Sequence, residues 1–512
     1  MGALKNPRVG ALALLGVFLI PRLFLLGNAR WTSEESWFFS EIYATASGQR
    51  WEALGTPVSG TRGAHPGPYF YWLLAPFAWT GSPWLVSFGV ALLDSLGHLL
   101  ALAGLRTLWQ HRGTTRAAWV ITALLLALSP WALLYADRPW NSNLVSLPVG
   151  LAIYGLARWW SNQSKAPAFA CLTVGLAVLP SFHLSAPLLG LPILVAVAIG
   201  WRRLNRRSLL VGALLSGLIW APYISHEWQH DGANTRGLLS RSLPSVSSAS
   251  NTLLALGWPL RLVAPEIGYH AQKGYWSPYD PGAWRGSGKA HDAWWRIHGG
   301  LALPGLLIGL VLTLVAWGSF LGLLRQRRRA DLFDILLLTG TLLGWALLLF
   351  AGRRAYPHYL HPLIPLYAGA IGLGLERLWR RPKSRLLITT ALAAHLLTGL
   401  LVAKRFQAEN DRPFGLNANL YSLDILQRFD GTQPHFCGAL GYRSKAQLER
   451  IAMVRNPTLL LNGEEFALVH ALPGKIPKTL AETAQWQEQA HGVAHFLLLG
   501  TLPQSWRRVG CR

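Results

Sequence analysis

Residues 9–27 read VGALALLGVFLIPRLFLLG, and a few positions on residues 32–43 read TSEESWFFSEIY. The first stretch is long enough for one helix to cross a bilayer, which takes roughly 20 mostly apolar residues. The second sets two adjacent carboxylates, Glu34 and Glu35, where the chain leaves that segment. Acids at a membrane face are costly to desolvate and well suited to moving a proton. Lys5 and Arg8 precede the apolar run, which is longer than a signal-peptide core and lacks a small-residue cleavage site. We expect an uncleaved first helix that starts in the cytoplasm.

Working outward, apolar runs recur along the first four hundred residues. Only 14% of the 512 residues are charged, against about 25% in a soluble domain, and mean hydropathy is +0.28. The expected fold is an all-α polytopic membrane bundle of about 11 transmembrane helices. They fall at 9–27, 82–105, 117–135, 143–159, 166–180, 184–200, 208–224, 297–324, 332–351, 359–376 and 386–403. The net charge of +24 is no nucleic-acid stripe. It sits in short basic clusters between apolar runs: Arg202-Arg203 with Arg206-Arg207, Arg325 with Arg327-Arg328-Arg329, and Arg377 through Arg385. That is positive-inside patterning, with added attraction for anionic lipid headgroups. An odd number of spans puts the C-terminal region outside.

Three outer segments are too long to be turns. Within 28–81, Ser33 to Ala46 reads as an amphipathic helix with Trp37, Phe38, Ile42 and Tyr43 at the membrane interface. Pro68 to Trp79 reads as a short dipping helix that Pro68 starts. The second segment, 225–296, is rich in Gly, Ser, Trp and His without obvious structure, a length that usually carries function. It offers His226, Glu227, His230, Glu266, His270, Lys273, Tyr275, Trp276 and Arg285 for sugar recognition, although no spacing there is specific. The third, 404–512, is expected to be a small extracytoplasmic α+β domain. Its strands read at 466–472 and 495–500, its helices at 444–454 and 478–490. Domain boundaries are therefore 1–403 and 404–512. Cys171 reads as inert packing, and Cys437 and Cys511 are either a disulfide outside the cell or two free thiols.

Candidate chemical residues cluster at outer turns. Glu34 or Glu35 is a general base, or the pair simply caps a helix behind Thr32-Ser33. His65-Pro66-Gly67-Pro68-Tyr69-Phe70-Tyr71-Trp72 follows; an interfacial aromatic belt explains its Tyr and Trp but not His65. Tyr135-Ala-Asp137-Arg138-Pro139-Trp140-Asn141 places Arg138 to hold a phosphate or to pair with Asp137. His183, in Pro180-Ser181-Phe182-His183-Leu184-Ser185, contacts substrate or caps a helix. Arg353 and Arg354 lie on an outer turn against the positive-inside bias. His358 and His361 follow one helical turn apart, and a metal there is the weaker reading because no carboxylate or third His adjoins. Asp94 and His98, an i, i+4 pair inside the second span, are functional or a buried hydrogen bond holding the bundle.

The order of these elements resembles one family, over roughly residues 1–400. An acid pair after the first span, an amphipathic helix ending near Gly48, then His65-Pro66 and aromatics look like the C-fold (GT-C) glycosyltransferases that use polyprenyl-phosphate sugars. The branch is that of protein O-mannosyltransferases and the lipid A aminoarabinose transferase. The family usually has Asp-Glu where this chain has Glu34-Glu35. Arg138 with Asn141, the His183-Leu184-Ser185 turn, and Tyr359-Leu360-His361-Pro362 also match family segments.

The resemblance implies an inverting transfer from a polyprenyl-phosphate sugar to an acceptor hydroxyl on the outer face of the plasma membrane. Glu34, or Glu35 in the other register, would be the base. His65, Tyr69, Arg138, Asn141, His183, Arg353, Arg354 and His358 would bind substrate. Expected partners are the lipid-linked sugar donor, membrane lipids and a glycan, lipid or protein acceptor, with no nucleic acid. The chain is expected to act as a monomer. No cofactor is required by the pattern, and a divalent cation is compatible with it. The rivals are a lipid-linked sugar flippase or transporter, which needs polar residues along a path and inverted repeats, an O-antigen ligase or polymerase, and a scaffold that binds polyprenyl lipids without catalysis.

Overall fold

The computed structural model describes residues 7–26, 33–58, 61–112, 116–128, 133, 138–162, 165–240, 307–325, 331–350 and 357–406. It also describes four strand segments, 433–438, 465–471, 486–490 and 493–499. Helix α1 is Pro7–Leu25 and α2 is Ser33–Ala46; β1 (Leu54–Pro57) and β2 (Ala64–Pro66) form a small antiparallel hairpin ahead of α3 (Tyr69–Ala78). Then come α4 (Pro83–Leu108), α5 (Arg116–Leu128), a 3-10 segment Asn141–Val145, α6 (Ser146–Trp160), α7 (Lys165–Phe182), α8 (Pro187–Ile199), α9 (Arg206–Gln229) and α10 (Ala233–Leu239). Helix α11 (Leu307–Arg325) and α12 (Leu332–Phe350) precede a second 3-10 segment, Pro357–Leu363, which leads into α13 (Ile364–Trp379) and α14 (Pro382–Phe406).

Each segment expected to span overlaps a helix among the described residues. Among the described residues, three of them are long and apolar enough to cross a membrane: Pro83–Leu108, Arg206–Gln229 and Leu307–Arg325. The surface agrees. Leu12, Ile20, Leu210 and Leu218 are more than 60% exposed, while Arg22, Asp94 and His98 are buried. Apolar side chains outside and charges inside suit a solvent of lipid, and the chain is a membrane protein.

The bundle is built on a seam of small residues. A Cβ on Gly97 of α4 would lie 2.3 Å from the Ser146 carbonyl carbon, and one on Gly150 of α6 would lie 2.0 Å from the Gly97 oxygen. On the other side of α6, a Cβ on Gly175 of α7 would meet the Ala152 nitrogen at 2.6 Å. Only glycine lets three backbones touch in this way, the packing that membrane helices use where burial of apolar surface gives no driving force. The start of α6, and the 3-10 segment before it, are thereby fixed against α4 and α7.

A buried ion pair joins α1 to the same seam. Arg22 Nε donates to Asp94 Oδ2 at 2.9 Å, and Nη1 donates to the Phe18 carbonyl at 2.5 Å. Weaker contacts run from Nη1 and Nη2 to the Ala127 and Leu126 carbonyls of α5, at 3.4 and 3.5 Å. His98 Nε2 lies 3.4 Å from the other Asp94 oxygen. The Asp94–His98 pair is thus part of a larger group whose strongest member, Arg22, sits within the first apolar run. At the arginine-rich end, Arg112 pairs with Asp331 and, at 2.8 Å, with Asp334. Those two aspartates cap α12 reciprocally: Asp331 Oδ1 accepts from the Asp334 N–H and Asp334 Oδ2 from the Asp331 N–H.

Three local expectations change. Helix α2 has the expected bounds, but Phe38 and Ile42 are 3% and 0% exposed. They pack on the bundle with Phe39 rather than lying on the interface, because α3 folds back over α2 and covers them (Phe38 and Phe70 meet edge to face at 5.3 Å). Residues 225–239 are not irregular: α9 runs to Gln229, and α10 follows after a tight turn with Asp231 and Gly232 at positive φ. In the tail, β3 (Gln433–Gly438), β4 (Glu465–Ala471), β5 (Trp486–Ala490) and β6 (Val493–Leu499) make one sheet in the order β3-β4-β6-β5. The two expected strands are β4 and β6. Residues 486–490, read as the end of a helix, are a strand; Ala490 pairs with Val493, so a tight hairpin to β6 overrides the local helical pattern. The other expected tail helix and Cys511 lie outside the described residues.

Candidate active site

The site is built from the β1–β2 hairpin on the end of α7, the two 3-10 segments, and the start of α2, which reaches it through Glu35 and Arg138. Helix α2 begins at Ser33, so Glu34 and Glu35 occupy its first turn, where carboxylates complement the helix dipole. Glu35 is 1% exposed, and its Oε1 lies 3.6 Å from Arg138 Nη1. Arg138 is also buried, with its guanidinium 5.4 Å from the centre of the Trp140 ring. Among the described residues Glu35 pairs with it, and Asp137, the neighbour suggested by sequence, lies outside the described residues. The Arg138 carbonyl accepts from the Trp140 N–H at 2.7 Å and from Asn143 Nδ2 at 3.1 Å, which makes residues 138–143 an ordered turn.

His65 is carried on β2. A Cβ on Gly55 of β1 would lie 3.0 Å from the His65 Cβ and 3.1 Å from the Ser181 carbonyl oxygen, so the hairpin presses directly on the end of α7. Gly67, at φ +92°, turns the chain there, and Ser181 Oγ donates to the Pro66 carbonyl at 2.5 Å. Asn141 Nδ2 donates to the Phe182 carbonyl at 2.6 Å and lies 3.2 Å from His65 Nε2. A carbonyl only accepts, so the amide nitrogen must face it; His65 Nε2 is then the acceptor. Its Nδ1–H donates to the Pro180 carbonyl at 3.3 Å. Both ring nitrogens are used in the neutral form, and His65 bridges the hairpin to the Asn141–Val145 segment.

The ring of His183 lies 6.0 Å from that of His65 and 5.4 Å from that of Tyr359. Its Nδ1 accepts from the Ser185 N–H at 3.1 Å, so the lone pair is spent on the turn that follows α7. His361 Nδ1 contacts the Ser142 carbonyl, which joins the two 3-10 segments. Tyr69 gives its hydroxyl to the Ile219 carbonyl at 2.6 Å and ties α3 to α9. The structure thus brings together Glu35, His65, Arg138, Asn141 and His183. Arg353 and Arg354 lie outside the described residues, as do the side chains of Glu34 and His358. Sequence reasoning missed Arg22, legible as a lone arginine in an apolar run, and Asn234, for which spacing offers no signal.

The neutrality of His65 has a measurable consequence. The residue lies in the loop outside the spanning helices, and burial lowers its pKa from 6.5 to about 4, with the Pro180 carbonyl pulling weakly the other way. Between those values the unfolded chain binds a proton that the folded chain refuses. Stability is unaffected above the unfolded value, falls as pH drops through the window, and levels off below about 4. The loss amounts to roughly 3 kcal/mol. Thermal unfolding of His65→Gln should show a shallower slope over this window than that of the wild type; equal slopes would contradict the assigned burial.

No protein-family model and no curated protein sequence matches the chain. Solved structures do. ArnT from Cupriavidus metallidurans, crystallised with undecaprenyl phosphate bound, matches over 98% of this chain and 100% of its own, at 12% identity and TM-score 0.51. Its apo form matches over the same shares at 14% identity and TM-score 0.49. An oligosaccharyltransferase from Archaeoglobus fulgidus, in complex with Zn and sulfate, matches over 90% of this chain and 67% of its own, at 13% identity and TM-score 0.48. The GT-C resemblance read from sequence is therefore shown at the level of the fold, which the chain shares with ArnT.

Proposed function

We propose that this chain transfers a sugar from a polyprenyl-phosphate donor to an acceptor hydroxyl, with inversion, at the outer face of the plasma membrane. The observation that carries this reading is the buried Glu35–Arg138 pair beside the His65–Asn141 bridge. It holds a guanidinium, a rigid fork of donors suited to phosphate, at the end of the bundle where the acid pair starts α2. The fold's likeness to ArnT bound to a polyprenyl phosphate supports the same donor class.

The two acids take different roles. Glu35 is committed to Arg138 and orients it. Glu34 accepts the proton of the acceptor hydroxyl. The oxygen attacks the anomeric carbon as the bond from that carbon to the phosphate oxygen breaks, and the bonding electrons leave with the phosphate. Arg138, joined by Arg353 and Arg354, stabilises the charge that develops there. His65 is not among the cations, since its neutral form satisfies both nitrogens; it fixes the Arg138–Asn143 turn through Asn141. Arg22 and Asp94 satisfy each other, which disfavours the transport reading, where such groups would serve as steps along a path. Residues 1–403 would form the catalytic bundle, with the N-terminus in the cytoplasm, and 404–512 an outer domain that helps engage the acceptor.

Binding of undecaprenyl phosphate to the full chain in nanodiscs tests the donor assignment. Arg138→Gln should weaken it by about 10- to 100-fold, the worth of a charge-assisted contact. An unchanged affinity in a folded variant would remove Arg138 from the phosphate site.

A further inference from the structure

One contact at the site comes from a residue far away in sequence. Asn234, at the start of α10, is 6% exposed. Its Oδ1 accepts from the Ala64 N–H at 2.6 Å, and its Nδ2 donates to the Ala64 carbonyl at 3.0 Å. The side-chain amide therefore pairs with both backbone groups of one β2 residue, as a neighbouring strand would. The other edge explains why those groups are free to take it. Ala64 stands opposite Pro57 in the hairpin, and the adjoining pair is closed by the Val58 N–H on the Gly63 carbonyl at 2.9 Å, so the alternation of an antiparallel ladder turns the Ala64 groups outward. Both Ala64 groups face away from β1, and Asn234 supplies the missing rung.

The residue is itself held firmly. Glu227, near the end of α9, accepts the Asn234 N–H at 3.2 Å through Oε1 and the Thr235 N–H at 2.9 Å through Oε2. Thr235 Oγ1 lies 2.9 Å from the Tyr223 hydroxyl. The Arg62 N–H donates to the Gly237 carbonyl at 3.2 Å, and a Cβ on Gly63 would lie 2.7 Å from the Leu238 nitrogen. The α9–α10 hairpin thus sits in backbone contact with the strand whose next residue is His65.

We infer that Asn234 is a positioning residue for the transfer site, acting through β2 and His65 on the Asn141 bridge and the Arg138 turn. This rests on the proposed phosphate site. It adds that a hairpin from the second long loop segment sets the geometry with which the first holds the donor phosphate. Asn234 touches no substrate in this scheme; its whole effect passes through His65.

A double-mutant cycle on the full chain in nanodiscs tests it, with undecaprenyl phosphate as the probe. Asn234→Ala should weaken binding by about fivefold in the wild type, and by less than about twofold where His65→Ala is already present. Equal effects in the two backgrounds would overturn the inference. A second readout does not depend on the lipid. Asn234→Ala should flatten the acid-stability slope that His65 produces, because a loosened β2 admits water to the imidazole, while Asn234→Gln, which keeps the amide, should restore part of it. An intact slope in Asn234→Ala would also overturn the inference. If His65→Ala leaves lipid affinity unchanged while the slope does respond to Asn234, the phosphate site is misassigned and the coupling of Asn234 to His65 stands.

Discussion

Glutamine in place of Glu34 is expected to lower the rate of sugar transfer by about 10²- to 10⁴-fold, the usual worth of a positioned general base. Undecaprenyl phosphate affinity should stay within about twofold, because Glu34 acts on the acceptor proton and Arg138 on the phosphate. Glu35→Gln should give the opposite division. It leaves Arg138 buried without its carboxylate, so binding of the lipid phosphate should suffer first and the chemical step second. The two substitutions differ by one position and remove the same charge, so general electrostatic damage would affect both parameters alike. Steady-state transfer measured beside equilibrium lipid binding separates the cases. Full activity in Glu34→Gln, with binding lost in neither variant, would dismiss the acid pair as the chemical centre.

The second large effect is on stability. Arg22→Leu strands Asp94 in the bundle interior without its arginine, His98 lying 3.4 Å away. Removing one member of a buried pair costs about 3–5 kcal/mol. Replacing both members with apolar groups is often close to neutral in soluble proteins. Arg22→Leu alone should therefore unfold well below the wild type, and Arg22→Leu with Asp94→Leu should recover much of the loss. Thermal unfolding in one detergent checks both. If the double variant is no better than the single, the cost lies in the carbonyls of Phe18, Leu126 and Ala127 that Arg22 also caps, and the ion pair is incidental.

Much of the architecture could be read from residues alone, for a physical reason. A bilayer admits few solutions, so apolar length locates helices and Arg clusters orient them. Helix α2 had its bounds legible because Ser33 and two acids mark its start and Gly48 lies just past its end. What failed was long range. Asp137 beside Arg138 was a partner visible in sequence, while the Glu35 carboxylate that the fold brings within 3.6 Å from another helix was not, because a buried guanidinium gathers whatever carboxylate the fold delivers. Phe38 and Ile42 carry the apolar face of an interfacial helix, and no local pattern tells lipid from the cover of α3. Asn234 resembles any loop asparagine; its role depends on the outward-turned N–H and carbonyl of Ala64, 170 residues earlier. The strand at 486–490 followed its hairpin partner over its own composition.

The glycine seam between α4, α6 and α7 has a bearing on motion. Backbones in contact have no side-chain layer to shear, so that sector moves as one solid piece. The turn bearing Arg138 and Asn141 is bolted to it. Helix α9 lies against the same sector, since a Cβ on Gly212 would come within 2.8 Å of the Phe169 ring of α7, and Tyr69 and the α10 contact with Ala64 tie it to the site. A bulky lipid entering beside this sector would therefore meet a fixed wall at the Arg138 turn, and the adjustment it needs would have to come from the lipid or from elements off the seam.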